Sequence, residues 1–319
     1  MAKIVATYGV PCFDAALFEG HELVVPPLEK AFSREELMAA LPGAVAVLAC
    51  TRFDREMIAV SDALKLIVCY GAGYDAIDVA AATERGVMVA NIPDAVTAAT
   101  AELAVTLMLT LARKVTKYND AIRRLPARDV FVLGRDMSAT LDGGTLGIVG
   151  MGRIGARVAD ICRALGMRVL YTSRTPKPAR DRLGDRRVPL DELLSQSDVV
   201  SLHCPCTPET RGLLSRERIA LMKPTAFLVN TARGALADEE ALTDALRENR
   251  LAGAGLDVFP NEPNVNPAYF ALQNVVLTPH KGSNTCRTRR LMAEAAKARI
   301  LAVLDGKTPD NLLNPQVLG

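Results

Sequence analysis

Three polar residues stand just past the ends of apolar runs, where acid–base chemistry would use them. Arg233 sits in Val229-Asn230-Thr231-Ala232-Arg233-Gly234, Glu262 in Val258-Phe259-Pro260-Asn261-Glu262-Pro263, and His280 in Leu277-Thr278-Pro279-His280-Lys281-Gly282. The chain has only 3 histidines, so the proton-transfer candidates are few. His21 lies far upstream and reads as a surface residue. His203, just before Cys204-Pro205, reads as structural filling beside a cleft. His280 remains as the acid or base. Any one of the three polar residues alone is more often a solvated loop residue, but three at successive strand ends point to a site.

What precedes them names the kind of site. The sequence 145–155 reads Thr-Leu-Gly-Ile-Val-Gly-Met-Gly-Arg-Ile-Gly, an apolar run feeding Gly150-x-Gly152-x-x-Gly155. An amphipathic segment, 156–165, and a second strand-like run, 168–172, follow. Gly150 permits the tight turn, and Gly152 lets a pyrophosphate approach the backbone. Gly155 lets helix and strand pack closely, while the helix start turns free N–H groups toward the phosphates. Strand, glycine turn, helix and strand in this order predict a dinucleotide-binding site.

The end of the second strand selects the cofactor. A free ribose 2′-hydroxyl is usually held by Asp or Glu about twenty residues past the glycines. No carboxylate occurs between Asp160 and Asp181; Ser173, Arg174 and Thr175 stand there instead. A guanidinium and two hydroxyls suit a 2′-phosphate. NADP(H) is therefore the preferred cofactor, with NAD(H) as the alternative.

The elements that must carry these residues alternate strand and helix. In the first part, strands are expected at 3–7, 22–25, 45–50, 66–70 and 87–91, with helical patterns at 33–40, 54–59 and 76–85. Ile92-Pro93-Asp94 interrupts the pattern, a long helical stretch runs over 97–124, and 124–144 reads as a loop. Past the glycine motif, strands are expected at 199–203, 226–230, 254–258 and 275–278, with helices at 190–194, 216–222 and 238–248. Together with 146–149 and 168–172 these make the six strands of a doubly wound dinucleotide domain. A last helix over 285–304 ends at Gly306 and returns to the first domain. The expected fold is α/β: a Rossmann domain, 98–282, inserted into a smaller flavodoxin-like substrate domain formed by 1–97 and 283–319.

Composition excludes several other classes. Among 319 residues the formal charge is +2, aromatics are 4% and Trp is absent, which argues against nucleic-acid partners. The 7 cysteines form an odd set without disulfide or zinc spacing, so no metal is expected and a reducing, cytoplasmic setting fits. The N-terminus lacks a signal-peptide pattern. The most apolar helical run, 101–112, contains Thr106 and Thr110 and reads as too short to span a bilayer, so no membrane partner is expected.

The glycine motif, 230–234, 255–263, 278–283 and Gly71-Ala72-Gly73-Tyr74-Asp75 together resemble the D-isomer-specific 2-hydroxyacid dehydrogenases. The similarity spans nearly the whole chain. Within that family, the Ser-Arg-Thr ending of the second strand is most similar to NADPH-dependent glyoxylate/hydroxypyruvate reductases. The resemblance implies that Arg233 binds the carboxylate and carbonyl of a small 2-oxo or 2-hydroxy acid. It implies that His280 transfers the proton, that Glu262 supports the histidine, and that the N–H groups of Ala72 and Gly73 hold the carboxylate. An arginine can grip a carboxylate bidentately, and a carboxylate beside a histidine, whose free pKa is about 6.5, favours the imidazolium.

The same resemblance places the cofactor among Thr100, Gly150, Gly152, Arg153, Ile154, Gly155, Ser173, Arg174, Thr175, Cys204, Pro205, Thr210, Thr231, Ala232, Arg233, His280 and Gly282, with Asp257 facing the nicotinamide carboxamide. It also implies a homodimer. Many relatives carry a Trp in the loop before the glycine motif, a loop that can reach a partner's active site; this chain has Val130 and Phe131 there. Lys281 adds a charge beside His280 and is expected to point outward. Arg52 reads equally as a substrate contact or a surface residue.

Alternatives remain at this stage. An NAD-dependent 2-hydroxyacid, phosphoglycerate or phosphite dehydrogenase is the alternative enzyme, and the phosphite branch keeps the same Arg, Glu and His. Formate oxidation is disfavoured because Glu262 stands where that branch has Gln, and phosphoglycerate oxidation because no regulatory domain follows Gly319. A nucleotide-sensing, corepressor-like binding protein is the alternative from a different class.

Overall fold

A computed structural model describes residues 1–319, and the chain separates into two compact units, Met1–Val96 with Ser283–Gly319, and Thr97–Gly282. In the first unit, strands β1 (Lys3–Ala6), β2 (Glu22–Val24), β3 (Ala44–Ala49), β4 (Leu66–Cys69) and β5 (Met88–Asn91) form one sheet in the order β2-β1-β3-β4-β5. Every pairing is parallel. Helices α1 (Arg34–Ala40), α2 (Arg55–Ala59) and α3 (Val79–Glu84) lie between the strands. Side chains alternate across a strand, so both faces of a sheet covered on both sides must be apolar. Ile4, Leu48, Leu66 and Val68 accordingly face one core, while Val5, Val47, Ile67 and Val89 face the other with Leu37 of α1 and Ile58 of α2. Each helix starts where a side chain satisfies its first N–H groups: Ser33 in a capping box with Glu36, Asp54, and Asp78.

Helix α4 (Pro93–Ala112) crosses from one unit's segment to the next. Pro93 opens this helix rather than interrupting the chain, because proline lacks only an N–H that the first turn leaves unbonded anyway. The apolar run is therefore longer than 101–112: α4 has 20 residues, and by length and hydropathy alone it could cross a membrane. Of its most apolar 18-residue stretch, 56% is buried inside the protein, as a core helix requires. The stretch 97–124 is also not one helix. Lys114 takes a left-handed conformation (φ 50°) and pairs with Asp136, which ends α4 and starts α5 (Val115–Arg124). Within the expected loop, Ala127–Val130 forms a short helix, α6.

The second unit holds β6 (Thr145–Val149), β7 (Arg168–Thr172), β8 (Arg186–Arg187), β9 (Val199–Leu202), β10 (Phe227–Asn230), β11 (Gly253–Leu256) and β12 (Val275–Leu277). They form a parallel sheet in the order β12-β11-β10-β9-β6-β7-β8. This is seven strands rather than six. The added one, β8, has two residues paired on the edge beside Leu170 and Tyr171, too few to produce a periodic signal. On one face, α4 and α7 (Arg153–Ala164) pack through Leu107, Met108, Val158 and Cys162. Helix α8 (Pro178–Asp181) precedes β8, and α9 (Leu190–Gln196), α10 (Arg216–Ala220) and α11 (Glu239–Arg247) cover the other face through Leu193, Ile219 and Leu246.

The chain runs outward from β6 through β7 to β8, then returns to place β9 on the other side of β6. That reversal opens a crevice beyond the carboxyl ends of β6 and β9, where open α/β sheets bind ligands. Helix α12 (Cys286–Leu304), capped by Thr285, returns to the first unit and packs there through Met292, Ala296 and Ile300.

Candidate active site

The glycine turn lies at this crevice. Gly150 has φ +101°, and a Cβ there would meet the Cys204 nitrogen at 2.6 Å and the His203 carbonyl carbon at 2.7 Å. Only glycine fits between the ends of β6 and β9. Gly155 is equally confined, since a Cβ would come 2.3 Å from the Gly150 oxygen. Gly152 differs: a Cβ there would meet nothing within 4 Å. It is the N-cap of α7 and supplies no side-chain cap, in contrast to the Ser and Asp caps elsewhere in the chain. The turn is therefore open around Gly152, at the start of α7, an arrangement suited to a phosphate.

Around the turn, Thr210 donates to the Pro205 carbonyl at 2.7 Å and accepts the Thr207 N–H at 2.7 Å, which fixes the loop after β9. His203 binds Ser201 through Nε2 at 2.8 Å, and desolvation pushes its pKa down to about 3. It stays neutral, in keeping with a filling role. At the end of β10, the Thr231 hydroxyl is buried without a hydrogen-bond partner. A buried orphaned hydroxyl is uncommon and is readily satisfied by a ligand. The open glycine turn and this hydroxyl both fit a nicotinamide dinucleotide.

The expected Arg, Glu and His lie along the next strand ends. His280 Nδ1 and Glu262 Oε2 are 2.7 Å apart, and Glu262 Oε1 accepts the Phe259 N–H at 2.9 Å. Burial pushes the Glu262 carboxyl up. The His280 hydrogen bond, the Phe259 N–H and the charges of His280 and Arg233 outweigh that effect and hold it below its ordinary value. Arg233 is half-buried on the turn after β10, and its Nη1 donates to the Ala232 carbonyl at 2.7 Å. Asn230 braces this turn by donating to the Arg233 carbonyl at 2.8 Å and accepting the Ala232 N–H at 3.0 Å. Gly234 seats the turn directly on Phe259 and Pro260, where a Cβ would meet backbone at 2.1 Å.

His280 has a left-handed backbone (φ 52°), unusual for a residue with a Cβ. Asp257 holds it there. This side chain is fully buried, with Oδ1 accepting from the Thr278 hydroxyl at 2.6 Å and the Lys281 N–H at 2.7 Å. Its Oδ2 accepts the Gly282 N–H at 2.8 Å, and its carbonyl accepts the His280 N–H at 2.7 Å. These bonds make Asp257 a clamp on the His280 turn. Thr100 of α4 packs against the same turn, its methyl 3.3 Å from where a Gly282 Cβ would lie. Lys281 and Arg52 are both exposed.

In the first unit, three successive carbonyls of the loop after β4 are hydrogen-bonded within the unit. Gly71 accepts the Ile92 N–H at 3.0 Å, Ala72 accepts from Asn91 at 2.7 Å, and Gly73 accepts the Cys69 thiol at 2.8 Å. The N–H groups of Ala72 and Gly73 carry no protein acceptor. His21 is also in this unit, its Nδ1 accepting the Ala2 N–H at 3.3 Å. A cavity of about 600 Å³ in the second unit, lined by Thr145, Arg168 and Lys223 among others, opens at the starts of β6 and β7 and includes none of the residues expected at the site.

A doubly wound sheet with an open glycine turn, followed by Arg, Glu and His at successive strand ends, defines an oxidoreductase that uses a nicotinamide dinucleotide. The comparisons make the family specific. A model described as "D-isomer specific 2-hydroxyacid dehydrogenase, NAD binding domain" matches residues 105–282, and the chain belongs to that family. It is 41% identical over 327 aligned positions to a glyoxylate reductase of Thermococcus onnurineus (strain NA1), covering 99% of this chain and 97% of that protein. Among solved structures it is similar to a glyoxylate reductase from Paecilomyes thermophila, with a TM-score of 0.89, 32% identity and 99% of each chain covered. It is also similar to an NADPH-dependent glyoxylate/hydroxypyruvate reductase from Sinorhizobium meliloti in complex with NADP and malonate. There the TM-score is 0.85 and identity 27%, covering 98% of this chain and 96% of that one.

Proposed function

We propose that this protein reduces small 2-oxo acids, foremost glyoxylate or hydroxypyruvate, to the D-2-hydroxy acids with NADPH. The observation that carries the reading is the His280–Glu262 pair at 2.7 Å, on a turn clamped by buried Asp257 and beside Arg233. The names of the relatives support the substrate class. Bound NADPH supplies the hydride to the substrate's carbonyl carbon.

Arg233 binds the substrate carboxylate and polarises the neighbouring carbonyl. Glu262 holds Nδ1–H of His280, which leaves Nε2 to deliver a proton to the forming alkoxide. In the oxidative direction the neutral ring is the base. Ala72 and Gly73 offer their free N–H groups to the carboxylate. Gly150, Gly152, Arg153, Ile154 and Gly155 hold the pyrophosphate. Thr100, Cys204, Pro205, Thr210, Thr231, Ala232 and Gly282 line the rest of the cofactor, and Ser173, Arg174 and Thr175 approach its 2′-phosphate.

The segment 115–137 exposes Ile122, Leu125, Phe131, Leu133 and Met137, a surface that a second copy of this chain would cover in a homodimer. Seven free thiols and use of NADPH fit a reducing cytoplasm. The test is a panel of initial rates with NADPH and NADH against glyoxylate, hydroxypyruvate, pyruvate and phenylpyruvate. Fastest turnover of glyoxylate or hydroxypyruvate with NADPH supports the reading; preference for NADH or for phenylpyruvate refutes it.

A further inference from the structure

One donor that the sequence suggests in the loop after β7 is used within the loop itself. The Ser173 hydroxyl donates its one hydrogen to the Thr175 carbonyl at 2.7 Å. A phosphate oxygen needs donors, so Ser173 as placed presents only lone pairs to it. A second guanidinium lies beside this loop. Arg187 of β8 pairs in register with Tyr171 of β7, and its Nη2 donates to the Ser173 carbonyl at 2.8 Å and the Arg174 carbonyl at 3.3 Å. A guanidinium has five N–H donors, and Nε and both hydrogens of Nη1 remain uncommitted on an exposed side chain.

Strand β8 is too short to hold itself, and its position comes from the residue before it. Asp185 is buried between Arg163 of α7, which donates to its Oδ1, and Arg180 of α8, whose Nε donates to its Oδ2 at 2.8 Å. Tyr171 adds a second tie by donating to Asp181 at 2.7 Å. These bonds fix Arg187 against the residues where the acid that selects a free ribose would otherwise stand.

We infer that Arg187 is a cofactor-selecting residue: it braces the Ser173–Arg174 backbone and, with Arg174, supplies the positive charge and donors for the 2′-phosphate of NADPH. This rests on the proposed use of NADPH. The experiment is calorimetric titration of the free protein with NADPH, NADH, 2′,5′-ADP and 5′-AMP, for wild type, Arg187→Ala and Arg187→Lys. Loss of a charge-assisted phosphate contact predicts about 10- to 100-fold weaker binding of NADPH and 2′,5′-ADP by R187A, with NADH and 5′-AMP changed by less than about threefold. R187K, which keeps the charge without the fork, recovers part of the loss.

A wild type that prefers NADPH and an R187A variant with the same NADPH-to-NADH ratio would overturn the role of Arg187 while leaving NADPH use intact. Equal weakening of both cofactors would also overturn it, reducing Arg187 to a brace. A lysine variant no better than alanine would remove the charge argument. A wild type binding 2′,5′-ADP no better than 5′-AMP would overturn both the inference and the reading beneath it.

Discussion

Replacing Asp257 with Asn changes one oxygen to an NH2 group in a site without exposed surface. The carboxylate accepts from Thr278, Lys281 and Gly282 at 2.6 to 2.8 Å. Asparagine retains one acceptor. In its better orientation that oxygen serves Thr278 and Lys281, while the new NH2 faces the Gly282 N–H, donor against donor. The loss is one charge-assisted hydrogen bond plus a buried unsatisfied donor, together about 2 to 3 kcal/mol. For a unit of this size that lowers the melting temperature by about 4 to 12 °C. Because the same bonds hold His280 at φ 52°, kcat should fall by at least about tenfold as the imidazole loses its fixed position. Thermal unfolding and steady-state kinetics on the same preparation read both effects. An Asn variant with wild-type melting temperature and kcat would refute the positioning role.

Further outcomes follow from the same geometry. His280→Ala should lower kcat by at least about a hundredfold while NADPH binding stays within about threefold of wild type; lost cofactor affinity with retained turnover would contradict its acid role. Glu262 has a depressed pKa in the folded protein, so its pairing stabilises the fold above the ordinary carboxylate value of 4.5 and is lost as pH falls through the lower folded value. Urea midpoints of Glu262→Gln and wild type should therefore differ at neutral pH and converge in acid; a constant difference would show that this carboxylate is not coupled to the fold. Thr231→Val should leave the cofactor-free protein as stable as wild type, because the hydroxyl it removes is unpartnered. The same change should weaken NADPH binding by about 3- to 10-fold in a titration, and unchanged binding would remove Thr231 from the site.

Long-range order was legible in the sequence wherever a motif stood on a strong period. The glycine turn could be read because its residues serve packing and phosphate approach together, and strands such as 146–149 because buried parallel strands are continuous apolar runs. His280, Glu262 and Arg233 could be read because few titratable groups follow strand ends. Tertiary ties explain what was missed. The break at Lys114 depends on Asp136, 22 residues away, and β8 depends on Asp185 lying between two arginines. The clamp that Asp257 makes on the His280 turn is set by the register of that turn, which residue type alone does not show. Ser173 likewise has the right type, but its hydrogen is used within its own loop.

The most direct test follows a deuterium atom. Wild-type protein is given hydroxypyruvate with NADPH deuterated at nicotinamide C4 on each face in turn, and the glycerate is resolved by chirality and mass. D-glycerate carrying deuterium at C2 from one face only is the expected result. L-glycerate, or product without the label from either face, would contradict direct hydride transfer to a 2-oxo acid at the Arg233–Glu262–His280 site.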